Sequence, residues 1–526
     1  MSRYSSSLPT NLAEGWTLER LTAPSRLFGA NGLRTGADGR IYVAQVSGSQ
    51  VSAIDVNSGA IETVSPKGGD IVAPDDLVFD PQGNLYVTEI SEGRVGMRDT
   101  KGNYRVVYGD IPCANPITFY QGRLFAGECR PGGRIMELDL NGGPARVIAE
   151  NLMMPNAMEV GPDGMLYFPQ MVTNEICRVS LDGGPVERVA GDLGVPDAVK
   201  FDAKGFIVST QVASGQVLRI DPRTGEKTIL AQLAPGLDNL TFVGERLFVS
   251  NIAGQVDEVL ADGKVKSVVP DSFNFPLGLA VDENGGLYIA DGGFTYSLHN
   301  GKRQALGMFF TPGYPGYVRG IVTAGAGEVV VTTAAGQVAR WRPAQQKHEI
   351  LAEGFDRPYG VALTASGAAI FADAGTGRVL SIQSSGVEVL ASDLKEPKGV
   401  AITADGTCLV GEEGAGRIVK LGRGGVETVL DGLKKPQGLF VRGDLLYIVD
   451  AGSRELIEYN LSSNKRRTIA SGLPVGAPEG MTPKPINPFP PLSGAIGPFA
   501  GIAAGADGTL YISADAEGSI LAVRPH

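Results

Sequence analysis

The sequence predicts an all-β protein made of two tandem six-bladed β-propellers, about twelve four-stranded blades of ~40 residues. Three observations predict it. A repeat of about forty residues runs along the whole 526-residue chain. Within each copy apolar residues alternate with period two and break at Asp-Gly or Asn-Gly turns, the pattern of short antiparallel strands. With 73 glycines and 33 prolines, the chain is turn-rich and poorly suited to a helical bundle.

Each copy starts with Pro, a variable residue and a small residue. Alternating hydrophobics, Asp-Gly, a Tyr-containing apolar run, a polar loop and Gly-Arg/Gln-Val follow. Good copies begin at Pro74, Pro155, Pro276 and Pro397. The residue after the Pro position falls at Asn31, Asp75, Asn115, Asn156, Asp197, Asp238, Leu277, Arg319, Tyr359, Lys398, Gln437 and Ala500. These positions are 39–44 residues apart, except for a final step of 63. Twelve blades in one ring leave too wide a channel, so two rings of six are expected. The first spans 1–262 and the second 263–526, divided at the Asp262-Gly263 turn. Segments 16–24 and 264–270 are strand-like, and each is expected to close its own ring on the last blade. The alternative, Trp16–Pro24 pairing with the C-terminal blade, stays open. Residues 472–498 form a Pro-rich insertion that explains the long final step. A lid over either channel, an interdomain contact or surface decoration are its options.

The formal net charge of −11 and the lack of a basic stripe exclude nucleic acid as an expected partner. No apolar run approaches the roughly 18–20 residues of a membrane helix, so no membrane partner is expected either. The N-terminal stretch has no apolar signal core. The four cysteines (Cys113, Cys129, Cys177 and Cys408) form no CxxC pair. A reduced, cytoplasmic protein is the expectation.

The first half departs from the second in one direction. Its six post-Pro residues, Asn31, Asp75, Asn115, Asn156, Asp197 and Asp238, are all Asn or Asp. Equivalent positions of propeller blades converge on one axis, so these side chains should line one channel mouth. A second set ends each Tyr-type strand: Gln45, Glu89, Glu128, Gln170, Gln211 and Asn251. Turn chemistry favours Asn and Asp in the first set but not Gln and Glu in the second. Both sets therefore read as a central polar site. Packed carboxylates repel unless a positive charge sits among them. Oxygen donors of this kind suit a hard divalent cation, Ca²⁺ first, with Mg²⁺, Mn²⁺ or Zn²⁺ as alternatives. Histidine-based zinc and a Ser-His-Asp triad are disfavoured there, because His299, His348 and His526 all lie in the second half.

The repeat resembles the NHL type and the six-bladed senescence marker protein/gluconolactonase (regucalcin) family. In that family one metal is held by an early Glu, an Asn and an Asp, with a further Asn on the substrate. By blade order, the resemblance implies substrate contact at Asn115 and metal ligation at Asn156 and Asp197. The early Glu falls on Asn31 and the substrate-binding Arg near Cys113, two departures that weaken the case for sugar-acid lactones. Asp75 or Asp238 can replace the lost charge. The expected function is a metal-assisted, lactonase-like hydrolase acting on a small lactone or ester. Its metal set is Asn31, Asp75, Asn156, Asp197 and Asp238. Asp197, Glu89 or Glu128 is the general base, and Asn115, Gln45, Gln170, Gln211 and Asn251 hold substrate. Two other readings stay open: a lyase or isomerase abstracting a proton beside a carbonyl, and a non-enzymatic NHL-type binding propeller. The oligomeric state is not legible.

In the second half Arg319, Lys398, Asp373, Glu412 and Asp450 are expected near the axis, pairing and filling it. Phe309, Phe310, Tyr314 and Tyr317 are expected to pack between domains. The fourth copy's Met153, Met154, Met158, Met165 and Met171 are expected mainly in the core.

Overall fold

The computed structural model describes residues 3–4, 9–422, 424–478 and 480–526. Apart from one 3₁₀ turn at Pro343–Gln345, its regular elements are strands, arranged as eleven four-stranded sheets and one five-stranded sheet. Among the described residues no helix is long and apolar enough to cross a membrane.

Each blade forms locally. In the second, Pro74–Phe79, Leu85–Glu89, Arg94–Arg98 and Tyr104–Tyr108 pair antiparallel in chain order. Apolar residues of neighbouring blades interlock; Val78, Tyr86 and Val95 share one cluster with Ile117, Leu124 and Met136 of the next blade. The chain divides into two compact units, Arg26–Asp271 with Met481–Leu492, and Met1–Ser25 with Ser272–Gly480 and Ser493–His526. They contain the first and second propellers.

This division differs from the expected one at both ends. Val265–Val269 is the outer strand of the sixth blade, paired with Val256–Val259. The Asp262-Gly263 turn is the hairpin joining them, with Gly263 N–H on Leu260 O at 2.9 Å, and is not a boundary. A strand five residues away closes a hairpin with little loop entropy, and so outcompetes the distant segment 16–24. The first ring is joined by side chains instead: Thr35 Oγ1 donates to Phe242 O at 2.7 Å and Ser250 Oγ to Asn31 O at 2.7 Å. The last blade has only three strands of its own, and Trp16–Arg20 supplies the fourth, from Trp16↔Pro525 to Arg20↔Leu521. Trp16 and Leu18 cover the cluster of Leu510, Ile512, Leu521 and Val523. Arg20 clamps the pairing through Glu517 at 2.8 Å. Deleting residues 1–22 should therefore lower the second propeller's calorimetric transition and leave the first propeller's in place; equal shifts of both would contradict this closure.

One residue position distinguishes the inner strands of the two propellers. In the second propeller it is Gly278, Gly320, Gly360, Gly399, Gly438 and Gly501. A Cβ on Gly278 would sit 2.6 Å from Arg319 O, and one on Gly360 2.6 Å from Lys398 O. Gly320, Gly399, Gly438 and Gly501 are tighter still, against the carbonyls of Tyr359, Gln437, Ala500 and Leu277. Six glycines let the inner strands close to a narrow core. In the first propeller the position holds Gly32, where a Cβ would be equally close to Asp75 O at 2.6 Å, and then Asp76, Pro116, Ala157, Ala198 and Asn239.

The insertion is shared between the units. In the first, Asn487 Nδ2 donates to Glu92 at 2.9 Å and Cys113 Sγ lies 3.1 Å from Pro490 O. In the second, Lys398 Nζ donates to Pro498 O at 2.9 Å. The aromatic group expected between domains packs inside the second propeller. Tyr314 meets Trp341 edge-on at 5.3 Å, and Phe309 meets Tyr317 at 6.1 Å.

Candidate functional site in the first propeller

The first polar set is aimed by a recurring backbone irregularity. In four inner strands the register shifts just past the Pro position, between Pro74 and Leu77, Ala114 and Ile117, Pro196 and Val199, and Leu237 and Leu240. Each shift leaves two residues unpaired and re-aims them. The displaced residues are Asp75-Asp76, Asn115-Pro116, Asp197-Ala198 and Asp238-Asn239, so the sequence position that looked variable is a bulge at the axis.

The structure brings the set together. Asn31 Nδ2 donates to Asp238 Oδ2 at 3.1 Å, and Asn156 Nδ2 donates to Asp197 Oδ1. The other ends of both carboxamides are pinned to backbone: Val46 N–H donates to Asn31 Oδ1 at 3.2 Å and Ala157 N–H to Asn156 Oδ1 at 2.8 Å. Asp75 and Asn115 are buried, and their side chains have no hydrogen-bond partner among the described residues. Burial pushes the Asp75 carboxyl up to about 8, with the Asp76 charge adding to it. Burial and the charge of Asp75 push Asp197 well above the carboxylate range. Asp238 is raised by burial and then by Asp197 and Asp75. Burial and neighbouring carboxylates thus raise all three, no cation faces them among the described residues, and the Asn31 and Asn156 hydrogen bonds oppose the shifts of Asp238 and Asp197.

Charged residues beneath this set escaped the sequence reading. Asp76 Oδ1 accepts from Asn239 Nδ2 at 3.3 Å and from Leu77 N–H at 2.8 Å. Arg34 and Lys200 both reach Glu159 Oε2, at 3.1 and 2.5 Å. Arg34 also donates to Leu77 O at 3.0 Å and Ile117 O at 3.2 Å, tying three blades together. The available signal was a charge three residues after the set position, where other blades carry Val78, Thr118 and Thr241.

The second polar set has a different role from the expected one. Gln45, Glu89, Gln170 and Gln211 each accept a backbone N–H seventeen residues earlier, from Phe28, Val72, Met153 and Gly194 at 2.8–2.9 Å. Asn251 donates to Pro235 O at 3.1 Å. In the second propeller Asp291, Asp373, Glu412 and Asp450 brace the same loop, from Asn274, Asp356, Lys395 and Lys434. Glu89 is further held by Arg94 at 2.7 Å and by the Tyr104 hydroxyl, and Glu128 by Arg130 and Arg134. Their oxygens are spent on partners, so neither is placed as a free base, and the carboxamides are not placed as substrate ligands. A longer side chain reaches the same N–H that Asp reaches elsewhere, which is why Gln and Glu were misleading. Gln211→Ala should cost about 1–2 kcal/mol of stability by orphaning Gly194 N–H. The expected readout is a lower melting temperature with KM unchanged; a KM effect at constant stability would restore the substrate role.

Sulfur flanks the site. Met171 Sδ lies 3.3 Å from Asn156 Nδ2 and 4.0 Å from Cys129 Sγ. All four cysteines are free and buried. Burial raises the Cys113 thiol to about 11, leaving it protonated at neutral pH. Met158 is in the core, as expected.

Residues 13–253 match the family model described as SMP-30/Gluconolactonase/LRE-like region. No curated protein matches the chain. Among solved structures, a streptogramin B lyase is similar at 19% identity, covering 53% of this chain and 96% of that one, with a TM-score of 0.39. A virginiamycin B lyase from Staphylococcus aureus is similar at 17% identity over 52% of this chain and 96% of that one, TM-score 0.39. A protein assigned only provisionally as a gluconolactonase has 16% identity over 49% of this chain and 95% of that one, TM-score 0.39.

Proposed function

We propose, from the premise that residues 13–253 form an SMP-30/gluconolactonase-like region, that the first propeller is a metal-assisted hydrolase of a small lactone or ester. The observation that carries the reading is that Asp75 and Asp197 are buried and Asp238 half-buried with raised carboxyls and no cationic partner among the described residues. Among the described residues no three His, Cys, Asp or Glu side chains are grouped to hold an ion by themselves. Carboxamide oxygens would complete the site: Asn31 and Asn156 lie beside the acids but turn Nδ2 to them, so each would have to release its backbone N–H and turn Oδ1 inward to ligate a cation. This oxygen-only set fits Ca²⁺, with Mg²⁺, Mn²⁺ and Zn²⁺ as alternatives. Asn31, Asp75, Asn156, Asp197 and Asp238 would hold the ion, which supplies Lewis acidity at a carbonyl oxygen when bound.

Asn115, with its carboxamide uncommitted, orients the substrate. Asp197, already bonded to Asn156, takes the proton from the attacking water. Met171 and Cys129 provide an apolar wall beside it. The unpartnered Asp75, raised to about 8, also favours a second reading in which a carboxylate abstracts a proton beside a carbonyl. Product analysis separates the two.

The test is turnover of a lactone and ester panel by EDTA-stripped protein, with and without Ca²⁺. Cation-dependent release of the hydroxy acid supports hydrolysis. Undiminished turnover after stripping, or an unsaturated or isomerised product, overturns it.

A further inference from the structure

The residue after each member of the second polar set forms a collar beside the first set. In the first propeller it is Val46, Ile90, Cys129, Met171, Val212 and Ile252. One bond places five of them alike. The N–H groups of Ile90, Cys129, Met171, Val212 and Ile252 donate to the carbonyls of Ala73, Cys113, Met154, Val195 and Gly236, at 2.8–3.1 Å. Each acceptor lies two residues before an Asn or Asp of the first set. In the second propeller Ala334, Ala374, Glu413 and Ala451 make the same bond. Glu413 shows where a side chain at this position goes. It pairs with Lys398 Nζ at 2.8 Å and accepts from Gln437 Nε2 at 2.9 Å, the first-set positions of its own blade and the next. Met171 turns the same way, its Sδ 3.3 Å from Asn156 Nδ2 and 4.0 Å from Cys129 Sγ. Burial, and then the charges of Asp197, Asp75 and Asp238, raise the Cys129 thiol, so Cys129 also faces the acids.

The two collars differ in chemistry. In the second propeller the position holds Gly292, Ala334, Ala374, Glu413, Ala451 and Asp515, all small or acidic. In the first propeller all six are apolar. Apolar side chains around a few converging polar groups are the make-up of a small-molecule site. A hydroxyl carried in among them would lose its water and meet no partner. Residual exposure marks the way in. Asp75, Asn115, Asn156 and Asp197 are buried, as are Ile90, Cys129, Met171 and Val212. Asn31, Asp238 and Ile252 keep contact with solvent, and all three stand where the sixth blade meets the first. Val46, on the first blade beside them, is 9% exposed. The insertion's Asn487 and Pro490 meet Glu92 and Cys113 instead, on the side of the second and third blades. We propose that the first propeller's substrate is lipophilic: the collar takes an alkyl chain on the lactone or ester, and the chain leaves past Val46 and Ile252. This rests on the hydrolase reading above and narrows it to substrates without hydroxyl groups on the chain.

The test uses the full chain with Ca²⁺ and a series of γ-lactones whose side chain grows from methyl to heptyl. kcat/KM should rise about fourfold for each methylene buried in the collar. A fully hydroxylated lactone should be at least about 10²-fold poorer than the heptyl member. Ile252→Ser should cost the heptyl lactone about tenfold more than the methyl one. Calorimetric titration of N-alkyl pyrrolidinones, whose amide resists opening, gives a readout without turnover. Their affinity should climb with chain length, with a negative heat-capacity change. Cation-dependent turnover without chain-length dependence, preference for the hydroxylated lactone, or equal losses for both lactones in Ile252→Ser overturns the proposal and leaves the hydrolase reading standing. Chain-dependent binding of the pyrrolidinones without turnover of any lactone overturns the hydrolase reading and supports the collar. Absence of both overturns both.

Discussion

Asp197→Asn is expected to lower kcat/KM on any accepted lactone or ester by at least about 10²-fold, while raising the melting temperature of the metal-free protein. The two effects share a cause. Asp197 is buried with Asp75, Asp238 is half-buried, and the Asp75 charge makes both Asp197 and Asp238 harder to ionise. Asparagine keeps the shape and a carbonyl for bonding Asn156, removes the repulsion, and removes the proton acceptor. The sign of the pH effect follows. Asp75 has a folded value of about 8 against an ordinary 3.8, so between those values the folded protein binds more protons than the unfolded chain. Stability of the metal-free protein is therefore highest below pH ~4 with respect to this group and is lost as pH rises through about 8. Melting between pH 5 and 8 should show a fall on the order of 5 °C, reduced in Asp75→Asn and by added Ca²⁺. A melting temperature that does not respond to Asp75→Asn would remove the strained set from the account.

Glu159→Ala is expected to destabilise the first propeller by about 3 kcal/mol, a loss read from calorimetry or urea unfolding. Arg34 and Lys200 share the one carboxylate, and their side chains are only 13% and 7% exposed. Without it, two cations from different blades face each other with no counter-charge except Asp76, which both already stabilise. Glu159→Gln should recover part of the loss by keeping hydrogen bonds to both. Replacing all three by apolar residues should cost less than the single change, because the uncompensated charge and not the missing bridge carries the penalty. Equal losses in the single and triple variants would contradict this.

The blade repeat was readable because period-two alternation and Asp-Gly turns are local signals. The closing strands were not. Pairing of Trp16–Arg20 with Ser519–Pro525 depends on which blade lacks a fourth strand, and that becomes clear only when the Asp262-Gly263 turn is recognised as a hairpin. At the site, the Asn and Asp set was legible because it repeats at one blade position in six consecutive copies. Its neighbour Asp76 was hidden by the bulge, which turns two consecutive residues to the axis where a regular strand turns one. The Gln and Glu set was seen but misassigned: composition marks a polar side chain, and only the backbone N–H it meets shows that Gln211 and Asp450 do the same work.

The proposed hydrolysis depends on a divalent cation held by the first propeller's Asp and Asn side chains. The direct measurement is calorimetric titration of Ca²⁺ into EDTA-stripped protein, beside an Asn156→Ala/Asp197→Ala double variant that melts cooperatively. One binding site, with proton release that grows as pH falls from 8 to 6, and loss of binding in the variant, is the predicted result. No heat with Ca²⁺, Mg²⁺, Mn²⁺ or Zn²⁺, or binding that survives in the variant, would contradict it.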